Sequence, residues 1–278
     1  MTNDRRTTNK PPFRLMERDL RILADLYLHR AISRDQLIGL GHFNSVPRCN
    51  SRINRLIQAG LARRIYPQSG SGSQAIYSVG PGATSILVAR VNVPKAEVAP
   101  KASRAVPPLF LAHTLGLVDL RVAFQRQAQT AGFSIEVWLP EPSCRHEYSI
   151  KDHPLADWRR HVLKPDAYVK LSKEGRSRHY FLELDLGHVS HGQFAKKVDS
   201  YRRYLDLGLF TEVYAAKTFG VLVVTTGDHR LCHLHELTTQ TAQPRFLFTT
   251  QNQIQKGLFR RCWIGPEGTT SIVPGDHL

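Results

Sequence analysis

Four prolines fall within the stretch RVNVPKAEVAPKASRAVPP, which spans residues 90–108 and has no apolar periodicity. Proline fixes φ and removes a backbone donor, so a helix or a central strand cannot run through such a segment. With 278 residues, 41% of them hydrophobic, the chain can build a separate core on each side of it. The expected division is a flexible N-terminus at 1–9, a first domain at 10–90, a linker at 91–108, a second domain at 109–265 and a flexible tail at 266–278.

The positive charge is concentrated before the linker. The chain carries 38 Lys and Arg against 23 Asp and Glu, a net charge of +15. Residues 1–106 hold 17 of the basic and 6 of the acidic side chains, whereas residues 107–278 hold 21 and 17. A basic field confined to one domain favours a polyanionic partner for that domain, and double-stranded DNA is the expected one.

Several other classes of protein do not fit the sequence. There is no apolar run of about 18 residues, so we expect no membrane span, and the polar start MTNDRRTTNKPPFRL lacks the apolar core of a signal peptide. No GxGxxG or P-loop motif is present, which argues against nucleotide hydrolysis. Four cysteines without CxxC spacing favour reduced thiols in a cytoplasmic protein. They are Cys49, Cys144, Cys232 and Cys262.

The first domain has the pattern of a winged helix-turn-helix. Residues 16–29, MERDLRILADLYLH, place apolar side chains at helical spacing, and Ser33 is a good N-cap for a short second helix. A third helix is expected at 46–59, ending at Gly60. The stretch LARRIYPQSGSGSQAIYSV at 61–79 then predicts two strands around a flexible tip, which is a wing.

We predict that the third helix and the wing bind DNA. The helix divides into an apolar side and a basic side. The apolar side is expected to hold Val46, Cys49, Ile53, Leu56 and Ile57. The candidate DNA contacts are Arg48, Arg52 and Arg55 on the opposite side, Asn50, Ser51 and Asn54 beside them, and Arg63 and Arg64 in the wing. Arginine matches guanine edges and phosphates, and asparagine can pair with adenine. The alternative is a charged face that only contacts solvent.

The second domain is expected to be an α/β (α+β) domain with a mixed sheet. A helix at 109–131 is followed by the candidate strands FSIEVWLPE, KPDAYVKL and RHYFLELDL, by the helix HGQFAKKVDSYRRYLDLG, and by the alternating segments FGVLVVTT, HRLCHLHELTTQTA and PRFLFTT. This αβββαβαβ order places helices on the faces of a sheet. The polar stretch EPSCRHEYSIKDHPLADWRRH between the first two strands is expected to be irregular.

Two carboxylates share a face of the third strand. Glu183 and Asp185 are two residues apart, so both side chains point to one side. In an antiparallel hairpin with the preceding strand, Asp166 could lie near them. Three carboxylates would suit Mg²⁺, and the alternative is a solvated edge. The histidines of HVSH and HRLCHLHEL lack an obvious third ligand, so we expect them on the surface.

This arrangement resembles the nuclease core of the restriction-endonuclease superfamily, whose pattern is PD, a spacer and (D/E)xK. Asp166 matches the first position and Glu183 the second, while Asp185 occupies the place of the lysine. In that superfamily a basic residue of the following helix can take over, and Lys197 or its rival Lys196 is suitable; helical phase alone does not choose between them. The resemblance implies catalytic roles for Asp166, Glu183, Asp185 and Lys197. It also implies Mg²⁺ held by the three carboxylates if the domain is active, and otherwise no cofactor.

A broader resemblance is to the replication-relaxation family. It is carried by LMERDLRILADLYLHRAISRDQL, NSRINRLIQAGLARRI, AHTLGLVDLRVAF, KPDAYVKL and FLELDLGHVSHGQFAKKVDSYRRYL, although the family's ELDRGT is ELDLGH here, with Leu186 and His188. The resemblance implies a sequence-specific DNA-binding protein of a plasmid, conjugative element or phage, acting in replication, DNA relaxation or mobilisation. A homodimer and partner proteins of such a complex are further expectations. The alternative is a transcriptional regulator, an autorepressor or antitoxin-like protein, with an inactive nuclease-like domain.

Overall fold

The computed structural model describes residues 13–66, 74–91, 94–96, 98, 106–141, 143–151, 157–239 and 243–272. The chain forms two compact units, Met1–Leu111 and Ala112–Leu278. The described residues form helices and mixed sheets, which confirms the predicted α/β class. None of the described helices is long and apolar enough to cross a membrane.

The first unit consists of short helices against a small antiparallel sheet. In chain order its elements are α1 (Glu17–His29), β1 (Ile32–Ser33), α2 (Arg34–Gly39), α3 (Val46–Gln58), β2 (Ala62–Ile65), β3 (Ile76–Val79), a 3₁₀ turn (Pro81–Ala83) and α4 (Thr84–Val91). The strand order is β1-β3-β2, with Ala62 opposite Val79 and Ile32 opposite Tyr77. The tip of the predicted wing, residues 67–73, lies outside the described residues.

Local sequence signals explain where α2 and α3 begin and end. Ser33 and Gln36 form a reciprocal capping box at the start of α2. The chain leaves α3 through Gly60, whose φ of 72° is in the left-handed region that glycine adopts at little cost. Cys49, Ile53 and Leu56 of α3 are buried, so this helix packs through one face. Val46, expected on the same apolar side, is exposed in the first turn.

The second unit is built on one mixed sheet with the strand order β12-β11-β10-β9-β8-β7-β4. Its strands are β4 (Ser134–Pro140), β7 (Ala167–Lys173), β8 (Arg176–Asp185), β9 (Gly220–Thr225), β10 (Arg245–Thr250), β11 (Trp263–Gly265) and β12 (Gly268–Thr270). Strands β8, β9 and β10 run parallel, while β7 is antiparallel to both β4 and β8. A hairpin of β7 and β8 therefore stands beside a parallel βαβ unit.

Helices cover both faces of this sheet. They are α5 (Pro108–Thr130), α6 (His191–Asp206), α7 (Leu209–Tyr214), α8 (Asp228–Glu236) and α9 (Gln251–Gly257). One core contains Phe181 together with buried residues of α6, α7 and α8. The opposite core contains Leu182 and Leu184 together with residues of α5 and α9. The alternation along β8 thus separates two cores, as the predicted strand requires.

Two expectations for the second unit were wrong. The stretch expected to be irregular contains β5 (His146–Ile150) and β6 (Arg159–Leu163), which pair as a two-stranded antiparallel ribbon. The tail expected to be flexible from residue 266 contains β12, which pairs with β11, and Ile272 is fully buried. In both cases pairing with a neighbouring strand orders the segment, and this pairing is not visible in the local composition.

Candidate functional site

The exposed face of α3 carries most of the predicted DNA contacts. Arg48, Ser51 and Asn54 are exposed. Asn50 and Arg55 are half-buried, and the Arg55 guanidinium lies 5.9 Å from the centre of the Phe13 ring. These side chains combine positive charge with amide and hydroxyl groups, which is the composition that contacts phosphates and base edges.

Strand β2 adds a second element beside this face. Arg64 is exposed and donates a hydrogen bond from Nη2 to Asn54 Oδ1, 2.9 Å away. Arg63 is half-buried on the same strand. The hydrogen bond fixes the distance between β2 and the exposed face of α3. An arginine of the strand and a polar residue of the helix therefore present one continuous surface.

Arg52 does not belong to this surface, and its predicted placement was wrong. Its side chain is only 8% exposed. Its Nε donates to Asp19 Oδ1 at 2.7 Å, and its Nη2 donates to the other Asp19 oxygen and to the backbone oxygen of Arg14 at 2.8 Å. The hydrogen bond to Asp19 raises the pKa of Arg52. The reason is spacing, because Arg52 comes three residues after the buried Cys49, and residues three apart lie on the same face of a helix.

A second candidate site lies where β7, β8 and α6 meet. Asp166 directly precedes β7, and its backbone N–H donates to Leu182 O on β8 at 3.1 Å. Glu183 is on β8 with its side chain only 5% exposed. Lys197 of α6 donates from Nζ to Glu183 Oε2. The structure thus brings Glu183 and Lys197 into contact, with Asp166 at the neighbouring strand end.

The contacts of Glu183 distinguish the two candidate lysines. Lys197 is half-buried against the carboxylate, whereas Lys196 is exposed. Tyr201, four residues after Lys197 on α6, donates its hydroxyl to Glu183 Oε1 at 2.5 Å. Sequence reasoning missed Tyr201, although its i+4 spacing from Lys197 places both on one helix face. Both oxygens of Glu183 therefore accept hydrogen bonds from α6.

Asp166 is held from the opposite side of the sheet by α5. His113 Nε2 lies 3.1 Å from Asp166 Oδ2 and 3.1 Å from Leu184 O. The Leu184 N–H donates to the same Asp166 oxygen at 2.8 Å. Because one histidine nitrogen is near both a carboxylate and a carbonyl oxygen, a proton on Nε2 satisfies the contacts. Sequence reasoning did not connect His113 with this site, because only the fold places it beside Asp166.

Asp185 is engaged elsewhere. Arg230 of α8 donates from Nε to Asp185 Oδ2 at 2.5 Å and from Nη2 to Val189 O at 2.5 Å. The Gly187 N–H donates to Asp185 Oδ1 at 3.0 Å. The predicted third carboxylate is thus paired with an arginine that sequence reasoning did not single out. Among the described residues, no three His, Cys, Asp or Glu side chains form a group that could hold a metal ion.

The electrostatics separate the two remaining carboxylates. Burial raises the pKa of Glu183 to about 7, since the charge of Lys197 only partly opposes the burial, and Asp166 adds to the increase. Burial also acts to raise the pKa of Asp166, but the hydrogen bond with His113 and the charge of Lys197 outweigh it and lower that pKa. Near neutral pH, Asp166 is ionised while Glu183 exchanges a proton.

Lys197 and His113 both favour their charged forms. Burial acts to lower the pKa of Lys197, but Glu183 and Asp166 raise it further than burial lowers it. Burial likewise acts to lower the pKa of His113, and the hydrogen bond and charge of Asp166 reverse the sign. The Lys197 ammonium on one side and the His113 imidazole on the other, each with its protonated form favoured, therefore face the carboxylates. This is an arrangement that can hold, orient or exchange protons.

Three histidines of the HVSH and HRLCHLHEL segments, His191, His229 and His233, lie close together in the second unit. His188, His191 and His229 are exposed. The ring of His233 is half-buried, with its centre 5.4 Å from that of His191 and 4.2 Å from that of His229.

Comparison with known proteins agrees with the sequence resemblance. The family model described as Replication-relaxation matches residues 23–221. The chain belongs to the Replication-relaxation family. The match extends from α1 to the start of β9 and so includes α3, Asp166, Glu183 and Lys197. Membership of the Replication-relaxation family indicates a role in the replication or relaxation of plasmid or other mobile-element DNA. No curated protein and no solved structure matches the chain.

Proposed function

We propose that this chain binds double-stranded DNA sequence-specifically through a winged helix-turn-helix at 10–90. The exposed face of α3 would enter the major groove, and the wing would contact the adjacent backbone. The single observation that carries the proposal is the surface on which Arg48, Ser51 and Asn54 are exposed and Arg64 joins Asn54. The net positive charge of residues 1–106 supports it, because a basic domain concentrates near phosphates.

The roles within this surface follow from side-chain chemistry. Arg48 can match a guanine edge or a phosphate, and Asn54 can pair with an adenine edge. Arg64 would neutralise a phosphate beside the helix. Arg52 is excluded from the DNA contacts because Asp19 already neutralises it. A dimer on paired half-sites would suit this fold, and a palindromic site would indicate it.

The test is selection of bound sequences from a random duplex library with the full chain, followed by fluorescence anisotropy on the selected site. Arg48→Gln is expected to weaken binding about tenfold or more and to relax preference at one base pair. Arg64→Gln is expected to weaken binding to all sequences and to reduce the salt slope by about 1.

The matched control is Arg90→Gln. Arg90 is also exposed and lies in α4 of the same unit, so the substitution removes the same charge away from the proposed surface. Its effect on affinity should be well below that of Arg48→Gln. Equal losses in the two variants would mean that only net charge matters, and the proposed orientation of α3 would be wrong.

A second candidate function is metal-dependent cutting or nicking of DNA by the second unit. The observation that favours it is Lys197, which contacts Glu183 and whose charge also acts on Asp166. This supplies the basic residue that the (D/E)xK pattern lacks at Asp185. Lys197 would neutralise charge developing on the scissile phosphate, while His113 would orient Asp166. The regulator alternative assigns the same contacts a structural role.

The donor set is compatible with Mg²⁺. This ion takes hard oxygen ligands and is commonly held by one or two carboxylates, with substrate phosphates and water completing its shell. Asp166 and Glu183 would supply the two carboxylates, and Asp185 would not take part because Arg230 holds it. When bound, Mg²⁺ would activate water and stabilise charge on the phosphodiester.

Supercoiled plasmid carrying the selected site distinguishes the two functions of the second unit. The full chain is incubated with Mg²⁺, Mn²⁺ or EDTA, and nicked and linear products are measured. Asp166→Asn should abolish metal-dependent products, while the control Asp199→Asn, an exposed acid on α6, should leave them unchanged. If no metal yields products and Asp166→Asn still binds the site, the nuclease proposal fails and the regulator remains.

A further inference from the structure

A cavity of about 320 Å³ opens in the second unit, away from Asp166, Glu183 and Lys197. It lies where β9 and β10 begin, since Tyr180, Gly220 and Arg245 are aligned across three neighbouring strands. The segment from Ala216 to Phe219 and the end of the β7–β8 hairpin complete its walls. Its volume is at the lower end of the range of about 300–1,000 Å³ for small-molecule sites.

The lining is basic. Arg178, Lys217 and Arg245 all contribute to it, and among its described lining residues there is no Asp or Glu. Arg245 is held from outside the lining by Glu267, at 3.0 Å from Nη2 to Oε1, and the Glu267 side chain is 85% exposed. Three cations around a concave surface without an internal acid concentrate the positive potential there.

The two guanidinium groups act on the same part of the cavity. Burial raises the pKa of Tyr180 to about 12, while Arg178 and Arg245 both act to lower it. Gly220 allows Tyr180 to cross β9, because a Cβ on Gly220 would lie 2.8 Å from that ring. Tyr180 and Phe219 are buried, so they give the cavity an apolar base beneath its charged wall.

His179 adds a polar group whose tautomer is determined by a neighbour. Its Nδ1 lies 2.7 Å from the hydroxyl of Tyr168. Burial, together with the charge of Lys170, lowers the pKa of His179, which favours the neutral ring. When Tyr168 donates to Nδ1, the proton of the neutral ring is on Nε2, which is then a hydrogen-bond donor.

We propose that this cavity binds a phosphate monoester, carried either by a free mononucleotide or by the phosphorylated 5′ end of a DNA strand. Arginine forks pair bidentately with phosphate oxygens, and a lysine adds a compact charge. The cavity accommodates one small phosphorylated group and is too small for a duplex. The proposal concerns residues outside the α3 surface and the carboxylate site, so it stands or fails independently of the proposed function.

The test is isothermal titration calorimetry on the full chain. The ligands are thymidine monophosphate, thymidine, inorganic phosphate, and a thymidine trinucleotide with and without a 5′-phosphate. Thymidine monophosphate is expected to bind about tenfold or more tightly than thymidine, because charge-assisted hydrogen bonds supply the difference. The increase in affinity that the 5′-phosphate gives the trinucleotide is compared with the increase that the phosphate of thymidine monophosphate gives thymidine. A larger increase for the trinucleotide would identify a strand end as the source of the phosphate, and a smaller increase would identify the free nucleotide.

The variants connect binding to the cavity. Arg178→Gln combined with Lys217→Gln should weaken thymidine monophosphate by about a hundredfold, roughly tenfold for each lost charge-assisted contact. Arg176→Gln removes an exposed charge from the same hairpin without touching the lining and should change the affinity less than about twofold.

Arg178→Lys keeps the charge but removes the planar fork, and it should weaken binding severalfold even if the double variant fails to fold. Three results would overturn the proposal: no heat at millimolar thymidine monophosphate, equal affinity for thymidine, or an equal loss of affinity in Arg176→Gln.

Discussion

Replacement of Arg52 by methionine should destabilise the first unit while leaving the proposed DNA-binding surface of α3 chemically intact. Asp19 is fully buried, and Arg52 gives it two hydrogen bonds. Without Arg52, the hydrogen-bond donor that remains to Asp19 among the described residues is the backbone N–H of Met16, 2.7 Å away. Removing one partner of a buried ion pair leaves an uncompensated charge and costs about 3–5 kcal/mol. We expect a loss of that order in the free energy of unfolding.

The double variant Asp19→Leu/Arg52→Met tests the cause of that loss. Replacing both charges with apolar groups is often close to neutral. Here the change also removes the hydrogen bond that the Met16 N–H donates to Asp19 at the start of α1, which is worth about 1 kcal/mol. The double variant should therefore be more stable than Arg52→Met by about 2 kcal/mol or more, in spite of carrying an additional substitution.

Hydrogen–deuterium exchange resolved to residues 17–58 measures the loss where it occurs. The three tryptophans, Trp138, Trp158 and Trp263, all lie in the second unit, so their fluorescence gives an internal control for that unit. Arg48→Met is the matched substitution on the exposed face and should leave exchange unchanged while lowering DNA affinity. The reasoning is refuted if Arg52→Met leaves exchange unchanged and lowers DNA affinity as much as Arg48→Met does.

Three further predictions concern the carboxylate site and a close backbone approach. The pKa of Glu183 is raised from 4.5 to about 7, so its contribution to the free energy of unfolding is complete below about pH 4.5 and is lost as the pH rises through about 7. The loss is about 3 kcal/mol. Glu183→Gln should remove this pH dependence, as measured by urea unfolding followed by tryptophan fluorescence. Lys197→Met should steepen the same loss because Glu183 then has no cation to oppose its burial, whereas Lys196→Met, at an exposed position, should not change it. Gly80→Ala should lower the free energy of unfolding of the first unit by about 1–3 kcal/mol, because its Cβ would lie 2.4 Å from Gly60 O. Hydrogen–deuterium exchange of β2 and β3 measures this loss.

Elements with a strong local signal could be predicted from the sequence. The third helix was expected at 46–59 and is found at Val46–Gln58, with glycine following it as predicted. All but the last residue of the predicted strand RHYFLELDL lies within Arg176–Asp185, and its side chains divide between the two cores. In these segments periodicity and end signals agree, and the tertiary structure did not have to override them.

Elements that depend on distant pairing could not be predicted in this way. The ribbon of β5 and β6 contains HEYSI and RRHVL, each of which has only two aliphatic or tyrosine side chains among polar ones. Such short, largely polar segments give a weak strand signal, and the pairing of His146 with Leu163 through Ile150 with Arg159 identifies the strands. The contact of His113 with Asp166 likewise joins residues 53 positions apart. Such contacts follow from topology and have no local pattern.

The partner of Asp185 could not be predicted from the local sequence either. The i, i+2 spacing correctly placed Glu183 and Asp185 on one face of β8, where both meet helices of the same core. It did not show that α8 would bring Arg230 to Asp185 while α6 brought Lys197 to Glu183. Two carboxylates on the same face of a strand therefore need not form one site, because each can pair with a different cation.

Arg52 and Lys197 occupy equivalent positions, each three residues after the first residue of the buried stripe of its helix. In α3 the buried stripe is Cys49, Ile53 and Leu56, with Arg52 at i+3. In α6 it is Phe194, Val198 and Tyr201, with Lys197 at i+3.

Residues at i, i+3, i+4 and i+7 share one face, so once the buried stripe is known, both cations are expected to point inward and Lys197 is favoured over Lys196. A cation in such a stripe requires a buried acid from another element, and the structure supplies Asp19 to one and Glu183 to the other. The difference in exposure then separates their roles. The Arg52 side chain is 8% exposed and is enclosed with its partner, whereas that of Lys197 is 32% exposed, as the proposed contact with a phosphate would require.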